Sequence, residues 1–281
     1  ASLFAQNFTT ATNSYNTAVG YQAGNLVTTG VENTLMGGLS GDALTVGYQN
    51  VALGYQALTT AQGSSANVAI GVAALATANS GATSSATYNI AVGHLAGTAI
   101  TTGIKNTIIG GLAGDQLADA DFNVAVGYGS LSTDDLGSKS TAVGTFALEA
   151  QNYATATDSH NTAIGYFAGN QITTGINNTL IGGLAGDALT DADSNTAVGY
   201  NALTTNTVGS QSTAVGSGAL ALQNPATAAS MLNVAVGYDS LDGTTTGYSN
   251  VCIGASTSGN GANSIGAIVI GKSLTAPGDN T

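Results

Sequence analysis

The stretch Asn16-Thr17-Ala18-Val19-Gly20-Tyr21-Gln22-Ala23-Gly24 is the motif on which this chain is built. It returns almost unchanged as Asn161-Thr162-Ala163-Ile164-Gly165-Tyr166-Phe167-Ala168-Gly169. With its central glycine as the marker, copies fall at Gly20, Gly37, Gly54, Gly71, Gly93, Gly110, Gly127, Gly144, Gly165, Gly182, Gly199, Gly216, Gly237, Gly254 and Gly271. The steps are 17, 17, 17 and 22, then 17, 17, 17 and 21 twice, then 17 and 17. Fifteen units therefore run in a higher period of four units, or 72 to 73 residues. Self-similarity at a fixed short period is the signature of a solenoid, in which each unit buries its apolar face only against its neighbours.

The four units of a superrepeat differ in type. The first reads Gly-aromatic-x-Ala-Gly, the second Gly-Gly-Leu-Ser/Ala-Gly-Asp, the third Gly-Tyr-x-Ala/Ser-Leu. The fourth, at Gly71, Gly144 and Gly216, carries a longer Ala/Thr/Ser-rich connection. The superrepeats span 16–88, 89–160 and 161–232, with a partial copy at 233–281 and the end of a preceding unit at 1–15, and together they form one repeat domain. Because both ends fall inside units, the rod is expected to continue, through a longer polypeptide or by end-to-end stacking.

Ahead of each glycine stands Thr, Val or Ile, then a small or apolar residue, then a large aliphatic. Thr/Val-Ala-Val is a short β run, too short for a helix and bounded by Asn and Gly. Seventeen residues leave room for two short strands and two turns. Successive copies then stack in parallel about 4.8 Å apart, and fifteen coils make a rod of roughly 70 Å. The expected class is all-β, a parallel β-solenoid. Asn precedes the strand in twelve units, and Ser140, Ser212 and Ala267 take its place in the others. Asn tolerates turn conformations, and stacked copies form an amide ladder.

The aliphatic before glycine and the residue two earlier share one strand face, and they are expected to fill the interior. The residue between them points the other way, yet it is apolar in every unit: Ala18, Leu35, Ala52, Ala69, Ala91, Ile108, Ala125, Ala142, Ala163, Leu180, Ala197, Ala214 and Ala235, followed by Cys252 and Val269. An outward apolar face implies burial against another surface, and symmetric self-association is its simplest supplier. The first thirteen of these residues are therefore the expected oligomer interface.

Composition narrows the function. Charged residues make up 6% of the 281-residue chain, and the net charge is -12. The three cations are Lys105, Lys139 and Lys272, and arginine is absent. A nucleic-acid surface needs clustered Lys and Arg, so no nucleic-acid partner is expected. No apolar run is long enough to insert in a membrane, and the lone Cys252 allows no intrachain disulfide.

The repeat resembles the Asn-Ser-Val-Ala-Ile-Gly repeat of YadA-like head domains in trimeric autotransporter adhesins. It is closer still to the Asn-Thr-Ala-Val-Gly-Tyr-Gln-Ala-Leu repeat of bacteriophage tail fibres, which residues 50–58 and 195–203 match nearly in full. The resemblance covers essentially the whole chain. It implies a left-handed trimeric β-roll on a cell surface or virion, extracellular, serving as a spacer or as an attachment surface. The 17-residue unit departs from the shorter adhesin unit, and no coiled-coil stalk or membrane anchor is present in this sequence.

Catalytic chemistry finds little support. His94 and His160 have no nucleophile or carboxylate at a useful spacing, and Gly110-Gly111 fits no phosphate loop. No cofactor is expected. The sets Asp115, Asp119, Asp121 and Asp187, Asp191, Asp193 are the weak candidates for a Ca²⁺ site, since hard cations take clustered carboxylates. Tyr21, Tyr55, Tyr128, Tyr166, Tyr200 and Tyr238 follow the marker glycine and are candidate contacts for a cell-surface glycan, against the alternative that they cover neighbouring coils. The expected function is a non-enzymatic fibre subunit. The rivals are a self-stacking extracellular filament and an ice-binding protein. Against ice binding, the pairs Thr28-Thr29, Thr101-Thr102 and Thr173-Thr174 recur only once in four coils.

Overall fold

The structure is a computed structural model that describes residues 1–79, 81 and 83–276. Ser80 and Ala82, within the long connection at 76–88, and residues 277–281 lie outside it. Among the described residues there is no helix; the chain is an all-β parallel solenoid of about fifteen turns, some seventeen residues apart. It divides into two compact units, one of Ala1–Lys139 with Ala154–Thr157, the other of Ser140–Tyr153 with Asp158–Thr281.

In chain order the first unit carries β1 (Thr17–Val19), β2 (Thr34–Met36), β3 (Val51–Leu53), β4 (Ser64–Ser65), β5 (Val68–Ile70), β6 (Ser85–Ala86), β7 (Ile90–Val92), β8 (Thr107–Ile109), β9 (Val124–Val126) and β10 (Gly137–Ser138). The three-residue strands pair in parallel, each with the next, in strict register: Thr17 faces Thr34, Thr34 faces Val51, and Val51 faces Val68. β4 pairs with β6, so the long connection adds a second, two-stranded ribbon. In the second unit β11 (Thr141–Val143) leads, β12 (Thr157–Asp158) follows in the sequence, and then come β13 (Thr162–Ile164), β14 (Thr179–Ile181), β15 (Thr196–Val198), β16 (Gly209–Ser210), β17 (Thr213–Val215), β18 (Ala229–Ser230), β19 (Val234–Val236), β20 (Val251–Ile253) and β21 (Ile268–Ile270). Here too the three-residue strands stack in parallel, and β16 pairs with β18.

The boundaries of each strand follow from its flanking residues. Asn33 is fully buried; its main-chain N donates to Asn16 Oδ1 at 2.9 Å, and its own Nδ2 donates to Gly47 O at 3.0 Å. The same pair of bonds recurs at Asn106 and Asn178, so each amide satisfies the backbone of its own coil and of the neighbouring one. At the other end the chain turns at a glycine that nothing else could replace. Gly93 has φ +144°, and a β-carbon there would lie 2.3 Å from Gly110 O.

The structure reverses the expected faces of the strand. Leu35, Ala52, Ala69, Ala91, Ile108, Ala125, Ala142, Ala163, Leu180, Ala197, Ala214 and Ala235 are fully buried within the single chain, and Ala18, in the first coil, is partly covered. They fill the interior and are not available to a partner. A 17-residue coil is slim, and its far wall already supplies large side chains, so the strand contributes mostly alanine.

Two ways of filling that interior alternate. In the coils of β1 and β2 the fourth residue after the marker is a glycine, Gly24 or Gly41, in left-handed conformation. A β-carbon on either would come within 3 Å of a Leu35 methyl. In those coils the seventh residue is large and buried, Val27 or Leu44. In the coils of β3 and β5 the fourth residue is instead Leu58 or Leu75, still left-handed at φ 56° and 50°, and the seventh shrinks to Ala61 or Ala78. A left-handed leucine costs roughly 1–2 kcal/mol of backbone strain, and burying its side chain contributes a similar amount. Backbone shape is thus constant while volume moves from one position to another.

Candidate functional site

With the interior assigned, the outward face of the strands is the first candidate surface. The residue before each marker glycine points out, and it is a large aliphatic in every coil: Met36, Ile70, Ile109, Ile164, Ile181 and Ile253 are each between 37% and 43% exposed. Beside this column runs a second, two residues earlier, of Thr, Val and Ile. Neither column holds a charged residue. These are the residues that the sequence reading placed inside. In a period-two strand with aliphatics on both faces, the column immediately before glycine gives no sign of which face is buried; that sign lies in the neighbouring column.

The second candidate surface is the tyrosine row. Tyr21, Tyr55, Tyr128, Tyr166, Tyr200 and Tyr238 are 51–73% exposed. They stand at the corner just past the outward column. Backbone bonds hold successive corners in register: Leu184 N donates to Tyr166 O at 2.9 Å, Asn201 N to Gly183 O at 3.1 Å and Gly218 N to Tyr200 O at 3.0 Å. In the second unit the tyrosines follow β13, β15 and β19, which are alternate coils of the stack, with Gly183 and Ser217 at the same corner between them. In the first unit Tyr21, Tyr55, exposed His94 and Tyr128 follow β1, β3, β7 and β9, again alternate coils.

The aspartate sets do not converge. Asp121 Oδ1 accepts from Ile104 N and Asp193 Oδ1 from Ile176 N, both at 2.8 Å. Asp119 accepts from Thr102 Oγ1, Asp187 from Thr204 Oγ1 and Asp191 from Thr190 Oγ1. Each carboxylate thus fastens a neighbouring group, and among the described residues no group of three His, Cys, Asp or Glu side chains is placed to hold a metal ion. Asp115 is the exception among the six, because its Oδ1 is buried without a partner. Burial raises its pKa above the ordinary carboxylate value, against the opposing pull of its own backbone and of Gln116.

Cys252 takes the place of the interior alanine in β20, and burial pushes its thiol pKa up, with Thr257 pulling the other way. That is an inert setting for a thiol. One buried group was missed entirely in the sequence. In the two coils where Ser140 and Ser212 replace the strand asparagine, a glutamine from the long connection completes the ladder. Asn161 Nδ2 donates to Gln151 Oε1 at 2.9 Å, and Gln151 Nε2 donates to Ser140 Oγ at 3.0 Å. Gln223 repeats the arrangement, accepting from Ser212 at 3.0 Å and from Asn233 at 2.8 Å. The signal that could have found it is the joint change from Asn67 and Ala78 to Ser140 and Gln151, with the same spacing.

Among the described residues no helix is long and apolar enough to cross a membrane. No protein-family model, no curated protein and no solved structure matches the chain.

Proposed function

We propose that this chain is a non-enzymatic structural and adhesive fibre subunit, whose copies associate through the outward aliphatic columns. One observation carries the reading. A column of large aliphatics, one per coil and free of any polar residue, faces outward from a chain with a charged content of only 6%. Contiguous apolar surface of that extent in a water-soluble protein marks an interface. The same column in every coil favours a parallel, symmetric partner, namely further copies of this chain. The four-coil superperiod comes from the glycine spacing of the sequence; a left-handed winding and a trimer are the finer features that the resemblance to adhesin heads and tail fibres adds. The proposed setting is extracellular, on a cell surface or a virion, as shaft or attachment surface. Sedimentation equilibrium with electron microscopy of the purified chain tests the reading. Discrete oligomeric particles are expected; long uniform filaments would favour the self-stacking alternative, and a monomer at every concentration would sink both.

A second reading has an observation of its own. Thr141, Thr162, Thr179, Thr196 and Thr213 lie in register on that uncharged face, beside a column of Val and Ile. A regular array of hydroxyls and methyls is the kind of surface that orders water into ice. Thermal hysteresis in solutions of the chain separates this reading from the first, and its absence would remove it.

A further inference from the structure

The tyrosine row has a spacing and a support that a merely exposed residue does not need. Aromatic corners recur on alternate coils, which places them about 9.6 Å apart at two strand separations. The intervening corners carry no ring, and all but the half-exposed Val72 are small: Gly38 and Val72, then Gly111, in the first unit, Gly183 and Ser217 in the second. Three of these small residues are glycines for which backbone shape gives no reason. Unlike the marker glycines, Gly38, Gly111 and Gly183 do not adopt positive φ. A β-carbon on them would meet the Cδ2 of the following tyrosine, at 3.4 Å for Gly38 and Tyr55, 3.5 Å for Gly111 and Tyr128, and 3.5 Å for Gly183 and Tyr200. The glycine is a seat for the ring. The ring rests on the coil before its own, and more than half of its surface is left to solvent.

We infer that each tyrosine row binds a neutral, linear, β-1,4-linked polysaccharide lying along the stack of coils. In such a chain every sugar is turned over relative to the last, so equivalent pyranose faces recur at every second sugar. The rise per sugar is close to the rise per coil. A row with an aromatic on every second coil therefore meets the same face of every second sugar, and the small corners between leave room for the sugars that are turned away. Sugar C–H groups pack on the ring face, and the phenol hydroxyl reaches water or a sugar hydroxyl. The chain has no arginine, three lysines and a net charge of -12, which selects against uronic or sialic acid polymers. The proposal rests on the fibre reading for its setting only, since binding along one row needs no second copy.

The test is retardation of the full chain in native gels cast with hydroxyethylcellulose or xylan, with soluble amylose as the control of the same neutral chemistry and a different chain geometry. Retardation by the β-1,4 polymers and not by amylose is the expected result. Tyr166→Ala, Tyr200→Ala and Tyr238→Ala are each expected to weaken it roughly five- to tenfold, the worth of one aromatic contact. A single β-carbon at Gly183 would only touch Tyr200, so Gly183→Val tests the seat: its added methyls compete with the ring for space and leave the tyrosine in the chain, and it is expected to weaken retardation while melting temperature is retained. No retardation of the unmodified chain, equal retardation by amylose, or tyrosine variants that bind as the parent does would each overturn the proposal. A fall in sedimenting mass on tyrosine replacement, without polysaccharide binding, would also overturn it and assign the rings to the subunit interface. Retained binding by a chain that sediments as a monomer would instead sink the fibre reading and leave this one standing.

Discussion

At the scale of single residues, the two strand faces make opposite demands. Ala197 is fully buried between Leu180 and Ala214, while its neighbour Val198 points outward. Ala197→Leu forces extra volume into a slim interior and is expected to cost about 1–3 kcal/mol. Val198→Thr exchanges one β-branched residue for another on the open face and is expected to change stability by less than about 0.5 kcal/mol. Urea denaturation of the two variants checks this; equal losses would mean that the faces are assigned wrongly. The assignment was legible in the sequence, but in the neighbouring column. Thr occupies the position three before the glycine in eight of the fifteen strands, whereas the position two before it is never polar. Uniform apolarity in the small-residue column marks a sealed interior. Reading it as an interface mistook a column sealed inside the single chain for a contact surface. Asp115 carries a pH prediction at the same scale. Its pKa is raised in the folded chain, so its contribution to stability is present below the unfolded value and is lost as pH rises through the folded one. Asp115→Asn is therefore expected to be neutral near pH 3 and to stabilise at pH 7, by under about 1 kcal/mol because water still reaches part of the carboxyl. Melting curves at the two pH values decide it, and a variant less stable at pH 7 would contradict it.

At the scale of one coil, the amide ladder is a unit whose members can be exchanged only together. Asn89 and Asn106 pass the ladder from coil to coil directly, with Asn106 N donating to Asn89 Oδ1 at 2.9 Å. Ser140 is too short to span that distance, and Gln151, reaching in from the long connection eleven residues later, fills the space beside it. Gln151→Ala removes buried hydrogen bonds from Ser140 and Asn161, which keep Ser159, Tyr153 and Gly175 as partners, and leaves a cavity in their place; it is expected to cost about 1–3 kcal/mol. Adding Ser140→Asn to that variant recreates the pairing of Asn67 with Ala78 and is expected to recover at least half of the loss. A double-mutant cycle by urea denaturation measures the coupling; independent, additive effects would show that the two side chains do not share a function. The ladder itself was readable from the recurring Asn, whose amide meets both turn and neighbour. The glutamine was hidden because a residue in a variable-length, Thr-rich connection gives no periodic signal, and only the missing Asn in the same coil points to it.

At the scale of the whole molecule, the proposed assembly has a physical signature that separates it from other ways of joining copies. The outward columns hold no charge, so association through them is hydrophobic and increases with the apolar area covered. The chain also carries a net charge of -12, and copies brought together repel. Added salt acts on both terms in the same direction. It screens the repulsion, since the Debye length falls to about 3 Å at 1 M. Sulfate further strengthens apolar burial by its exclusion from protein surface. Assembly is therefore expected to tighten with ionic strength and to loosen on cooling, where the hydrophobic contribution weakens. Placing charges in three coils of the column, with Ile109→Glu in one unit and Ile164→Glu with Ile181→Glu in the other, is expected to reduce the sedimenting mass to that of a single chain while the far-ultraviolet dichroism is retained. The fold persists because those side chains already stand at the surface, 37–40% exposed, and contribute little to the interior. Sedimentation at low and high salt, at two temperatures, reads all three effects. An oligomer that falls apart in 1 M sodium chloride would be held by ion pairs, and the aliphatic columns would then need another occupant.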